Sequence, residues 1–139
     1  MHKISEEDIE FKRQVESYEY PVPDFDHKSH VRLAYVYLID NNVESAVVLM
    51  RKALMGLLLH AGIEPSKKYH ETITEAWVMA VSHFMNESES SGSAAEFIQN
   101  NTKLLDTQIM LTHYSAEVLY SEKARQSFLE PNLEPIPRH

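Results

Sequence analysis

Proline stands at six positions in this chain, Pro21, Pro23, Pro65, Pro131, Pro135 and Pro137, and glycine at only three. Each interrupts regular structure, proline by lacking an N–H and fixing φ, glycine by its backbone freedom. Their scarcity leaves long stretches suited to helix, with the prolines as punctuation. The expectation is all-α: a single-domain bundle of about five helices over residues 1–130, with short C-terminal helical turns, and an extended proline-rich tail over 131–139.

Local signals place the helices. Ser5 can cap a first helix running to about Tyr18, with Glu6, Glu7 and Asp8 near the positive end of its dipole. After the extended Tyr20–Asp24 stretch, Asp24 or Asp26 can cap a second helix running to about Asp40, with His27, His30, Val31, Ala34, Tyr37 and Leu38 on its apolar face. Asn42 caps a third. Its run from Val47 to Leu59 is apolar nearly all round, which marks it as the central element, and Gly62 ends it in the left-handed conformation. A fourth follows Pro65, with His70, Ile73, Thr74, Trp77, Ala80, Val81 and Phe84 facing inward. The polar run from Glu87 to Gly92 is a loop. Ser93-Ala94-Ala95-Glu96 matches a capping box and opens a fifth helix through Ile109, with a break near Asn100 to Thr102. Ser115 and Ser121 can each cap a further short turn.

Composition removes several classes of function. A formal charge of −8 sets most of the surface against nucleic-acid phosphates and anionic membranes, so no nucleic-acid or membrane partner is expected. The absence of cysteine excludes disulfides, thiolate metal sites and a cysteine nucleophile. No basic-then-apolar leader begins the chain, and no apolar run approaches the roughly 18 residues that span a bilayer, so a soluble, cytoplasmic protein is expected. There is no Walker loop, G-x-G-x-x-G, G-x-S-x-G or kinase signature, and no Glu stands three residues before His30, His70 or His113 as a di-iron bundle requires.

What remains is histidine. Phe25-Asp26-His27-Lys28-Ser29-His30-Val31 and Lys68-Tyr69-His70-Glu71-Thr72-Ile73-Thr74 each lie where a helix begins, with imidazoles on the stripe that should face the core. His27 and His30 share a helix face at i and i+3, a spacing by which two imidazoles can hold one divalent ion. If the two helix starts meet, His27, His30 and His70 form a metal site with Glu71, Tyr69 and Arg32 as catalytic or ligand-orienting groups, joined by Thr74. Nitrogen and carboxylate ligands suit zinc, iron(II), nickel or manganese. Each residue also has a plain role. His27 can cap, His30 can bond a carbonyl, Glu71 can complement the helix dipole, and Arg32 and Arg51 can pair with Glu71, Glu75 or Asp26. His60 at the end of the third helix can join the cluster or bond terminal carbonyls. His83 and His113 are weaker candidates, and His2 and His139 are read as solvated. Tyr35, Tyr37, Tyr69, Trp77, Phe84 and Tyr114 are read as core.

The leading expectation is therefore a metal-binding helical protein, acting on a small molecule if it is an enzyme, with its pocket built by two helix starts. Two alternatives stay open: a metal-free acid/base enzyme for a small acidic substrate, and a non-enzymatic interaction module or homo-oligomer subunit.

Overall fold

The computed structural model describes all residues, Met1–His139. The chain is all-helical with no strands, and five of its helices have seven or more residues. These are α1 (Glu6–Glu16), α2 (His27–Asp40), α3 (Val43–His60), α5 (Glu71–Glu87) and α6 (Ala94–Asn100); the single turn α4 (Pro65–Lys68) and the short α7 (Ala116–Leu119) and α8 (Glu122–Gln126) complete the set, with 3-10 turns at Val22–Asp24, Thr102–Leu105 and Thr107–Thr112. No helix is long and apolar enough to cross a membrane.

Side-chain caps set most of the helix starts. Ser5, Asp26, Asn42, Ser93, Ser115 and Ser121 each accept a backbone N–H of the first turn they precede. α1 ends at Tyr18 in the left-handed region, at φ +64°, and α3 is followed by Gly62 at φ +78°. Tyr18 also accounts for Gly56, since a Cβ there would collide with the Tyr18 ring.

α2, α3 and α5 pack mutually, and α1, α6 and the short C-terminal helices cover them. Two sequence expectations change here. α3 is not the innermost element, because Ala46, Val47, Met50, Ala53 and Leu57 bury one face while Val48 and Leu59 on the other are open to solvent. Helices α2 and α5 are instead buried nearly all round. Leu33, Tyr35 and Val36, off the expected stripe of α2, are also buried, and Tyr35 stacks on Phe97 of α6 with ring centroids 4.7 Å apart. The fourth helix is also two pieces, since Tyr69 and His70 are extended between α4 and α5. The proposed fifth helix stops at Asn100 and continues as 3-10 turns. The tail lies along the body: the Leu133 N–H donates to the His113 carbonyl at 3.0 Å and Ile136 is buried in the core.

A buried carboxylate joins three of these helices. Asp8 accepts the Ser5 N–H at 3.0 Å, the Ala94 N–H at the start of α6 at 2.9 Å and the Arg32 Nε–H from α2 at 3.1 Å. Burial alone raises a carboxyl pKa, but here the two N–H donors and the guanidinium together outweigh it and hold Asp8 below its usual value. Its contribution to stability is therefore complete above the ordinary carboxyl value of 3.8 and disappears as pH falls through the lower folded value. Asp8→Ala should cost about 3 kcal/mol in urea unfolding at pH 7, because it strands the Arg32 guanidinium and two N–H groups. The gap between parent and variant should begin to narrow as pH falls below 3.8.

Candidate functional site

The starts of α2 and α5 do meet. At the first, Asp26 caps the helix and His27 and His30 project one turn apart, their rings near parallel with centroids 6.5 Å apart. His27 Nε2 lies 2.8 Å from the Leu104 carbonyl, and its ring meets the edge of Trp77 at 4.4 Å. A carbonyl only accepts, so Nε2 of His27 carries the proton. At the second, His70 is itself the N-cap: its Nδ1 accepts the Ile73 N–H at 3.0 Å, while Nε2 donates to the Leu119 carbonyl at 2.7 Å. Both nitrogens of His70 are committed to main chain, and burial holds its pKa below the ordinary value although the Leu119 carbonyl acts the other way.

His30 differs from both. Its Nδ1 is buried with no hydrogen-bond partner. Burial first, and the neighbouring His27 second, push its pKa down to about 4, so the ring is neutral near pH 7.

These groups line a cavity of about 310 Å³. Val22 and Phe25 before α2, Leu54, Leu57 and Leu58 of α3, and Ile73 and Trp77 of α5 supply its apolar wall. Asp26, His27, His30, His70, Tyr69, Thr74 and Lys68 supply the polar part, with Lys68 exposed to solvent.

The remaining expected site residues lie elsewhere. The carboxylate of Glu71 turns away from the cavity and takes a two-point bond from Arg51, at 2.9 and 2.7 Å, with the Tyr69 hydroxyl donating to it at 2.7 Å. Burial opposes that charge, but Arg51 holds Glu71 below the usual carboxyl range; burial and the nearby Glu71 charge push Glu75 upward. Arg51, Glu71 and Glu75 line a separate polar cavity, and the Tyr69 ring is the partition between the two. Arg32 pairs with Asp8 and stacks on Phe11, 4.4 Å from the ring centre, so it does not reach the histidines. His60 is exposed and stacks on Tyr18, and His113 bonds the Glu134 carbonyl at 2.7 Å.

His27, His30 and His70 thus share one cavity, but they do not form a set of three ligand atoms within 4.8 Å of one another. The leucines of α3 and Lys68, which complete the cavity, were not singled out from sequence; the spacing of Leu54, Leu57 and Leu58 along one helix face was the available signal. No protein-family model, curated protein or solved structure matches this chain.

An imidazole serving as both cap and carbonyl donor can be dissected by substitution. His70→Ala should lose about 2 kcal/mol of stability in chemical denaturation at pH 7, through one cap and one hydrogen bond. In His70→Asn, the amide oxygen replaces Nδ1 as the acceptor for the Ile73 N–H, so roughly half of that loss should be recovered. Equal losses in the two variants would show that the cap contributes nothing.

Proposed function

We propose that the cavity between the starts of α2 and α5 binds a small organic molecule with an apolar body and one hydrogen-bonding polar group, and that His30 receives that polar group. The observation that carries this reading is a neutral imidazole that lines a largely apolar cavity and whose buried Nδ1 has no hydrogen-bond partner. A buried polar atom left without a partner costs about 1–3 kcal/mol. A chain that keeps one beside an apolar cavity has the arrangement of ligand sites, where a few polar groups orient a mostly hydrophobic guest. The volume of about 310 Å³ falls at the small end of such sites.

Magnitudes separate this from the other chemistries the histidines suggest. A divalent ion held by all three rings could take Nδ1 of His27 with its Leu104 bond intact, but would have to displace either the Leu119 carbonyl or the α5 cap from His70. A guest that addresses His30 alone disturbs none of these bonds. Acid/base catalysis fits less well too, because a ring with a pKa of about 4 is a weak base at neutral pH and Glu71 is neutralised behind Tyr69. Lys68 at the edge of the cavity suits a guest whose polar group is acidic, such as a small carboxylic acid.

Substitution of His30 by leucine tests the reading from two sides. The parent should show saturable shifts of the His30 ring protons in an NMR screen of small aromatic and aliphatic acids, alcohols and amides, and His30→Leu should bind the same compounds at least tenfold more weakly. The variant should also be more stable than the parent at pH 7, by about 1 kcal/mol, because an orphaned polar atom is gone. Keeping His30 neutral contributes stability that is complete above the ordinary 6.5 and is lost as pH falls toward about 4; that fall should be shallower in the variant. Unchanged affinity in His30→Leu, or no compound that moves the ring protons, would overturn the proposal.

A further inference from the structure

A second group of histidines lies at the far end of α5. His83 and Glu87 stand one helical turn apart near its C-terminus, and the tail brings His139 against them. His83 Nδ1 and His139 Nε2 are 2.8 Å apart, the rings stacked within 17° of parallel, and a carboxylate oxygen of Glu87 lies within 4.8 Å of a ring nitrogen of each. We propose that His83, Glu87 and His139 bind a divalent transition-metal ion of the zinc type, which clips the tail to the end of α5.

The chemistry follows from the ligands. Two imidazole nitrogens and one carboxylate are a common zinc set, leaving a fourth position for water. With metal–nitrogen bonds of about 2.0–2.1 Å, two ligands of a tetrahedral ion stand about 3.4 Å apart, so the two nitrogens need to separate by only about 0.6 Å. Without an ion, nitrogens this close require one ring to donate a proton to the other; a cation held between them serves the same purpose with a carboxylate to balance its charge. All three side chains reach solvent, which gives an ion access.

The tail is held in register without the ion. Ile136 is buried, Arg138 Nη2 donates to the Glu130 carboxylate at 3.0 and 3.1 Å, and the Leu133 N–H bonds the His113 carbonyl. His139 is thereby delivered close to His83, so binding orders little new chain, and low ordering cost favours affinity. The His83 ring is further steadied by edge contact with Phe84, at 5.9 Å between centroids. This site lies apart from the His30 cavity, and neither proposal depends on the other.

The test is isothermal titration of the untagged full chain with zinc chloride, together with backbone NMR of the whole chain. The expected result is one ion per chain, with shifts concentrated at His83, Glu87 and the tail. His83→Ala and His139→Ala should each weaken binding at least tenfold, Glu87→Gln several-fold, and His30→Leu should titrate like the parent. Because the three ligands are at the surface, their variants should keep the parent's circular dichroism and melting temperature in the absence of metal. Absence of saturable binding, zinc affinity unchanged in both histidine variants, or loss of zinc binding in His30→Leu would overturn the assignment.

Discussion

A helix that begins inside a protein presents backbone N–H groups that water cannot satisfy, and the start of α5 is such a place. His70 meets that demand with an imidazole. One nitrogen takes the Ile73 N–H and the other donates to Leu119, so a single ring fixes both the first turn of the helix and the position of a segment far along the chain. The residues on either side of it are set by the same choice. Tyr69 becomes a wall shared by two cavities, and Glu71 is directed toward Arg51 on α3. With Glu71 paired on the far side of that wall, the cavity is left with a largely apolar lining and, among its histidines, one imidazole free of main-chain duties.

Much of the fold was legible because its signals are local. Ser5, Asn42 and Ser93 cap because their short polar side chains reach the N–H groups of the turn that follows, and Gly62 takes the positive φ that a helix end asks for. Burial was less legible, since it depends on which faces acquire a neighbour. The apolar circumference of α3 suggested a central helix, yet Val48 and Leu59 look outward while Tyr35 and Val36 are enclosed. The break between α4 and α5 escaped notice for a related reason: Tyr69 and His70 fit a helical phase, and only the fold shows the chain extended there.

The candidate site divides in the same way. Inward stripes placed His27, His30 and His70 toward the core, but whether the two helix starts meet, and what each ring bonds, only the fold shows. The carbonyls that occupy His27 and His70 belong to Leu104 and Leu119, 77 and 49 residues further along, beyond the reach of any local pattern. Arg51 was weighed as a partner for Glu71 and is one, whereas Arg32 is taken by Asp8, a residue read from sequence as a contributor to the α1 dipole. His83 was set aside because it lies off the Trp77 stripe and His139 because a terminal residue is ordinarily solvated; where the tail comes to rest is decided by buried Ile136, which no local pattern shows.

The residues from Ser115 to Leu129 form only two helices of four and five residues, too short to persist alone. They are nevertheless fastened to the first turn of α5 in three places: Leu119 to His70, Ser127 and Leu129 to Thr72, and Arg125 to the Tyr69 carbonyl at 3.4 Å. Detachment of this strip cannot be a private event, since it would release the ring that terminates the interior helix. Opening of the strip is thus coupled to the start of α5, and a stretch that looks peripheral in outline takes part in holding an interior helix.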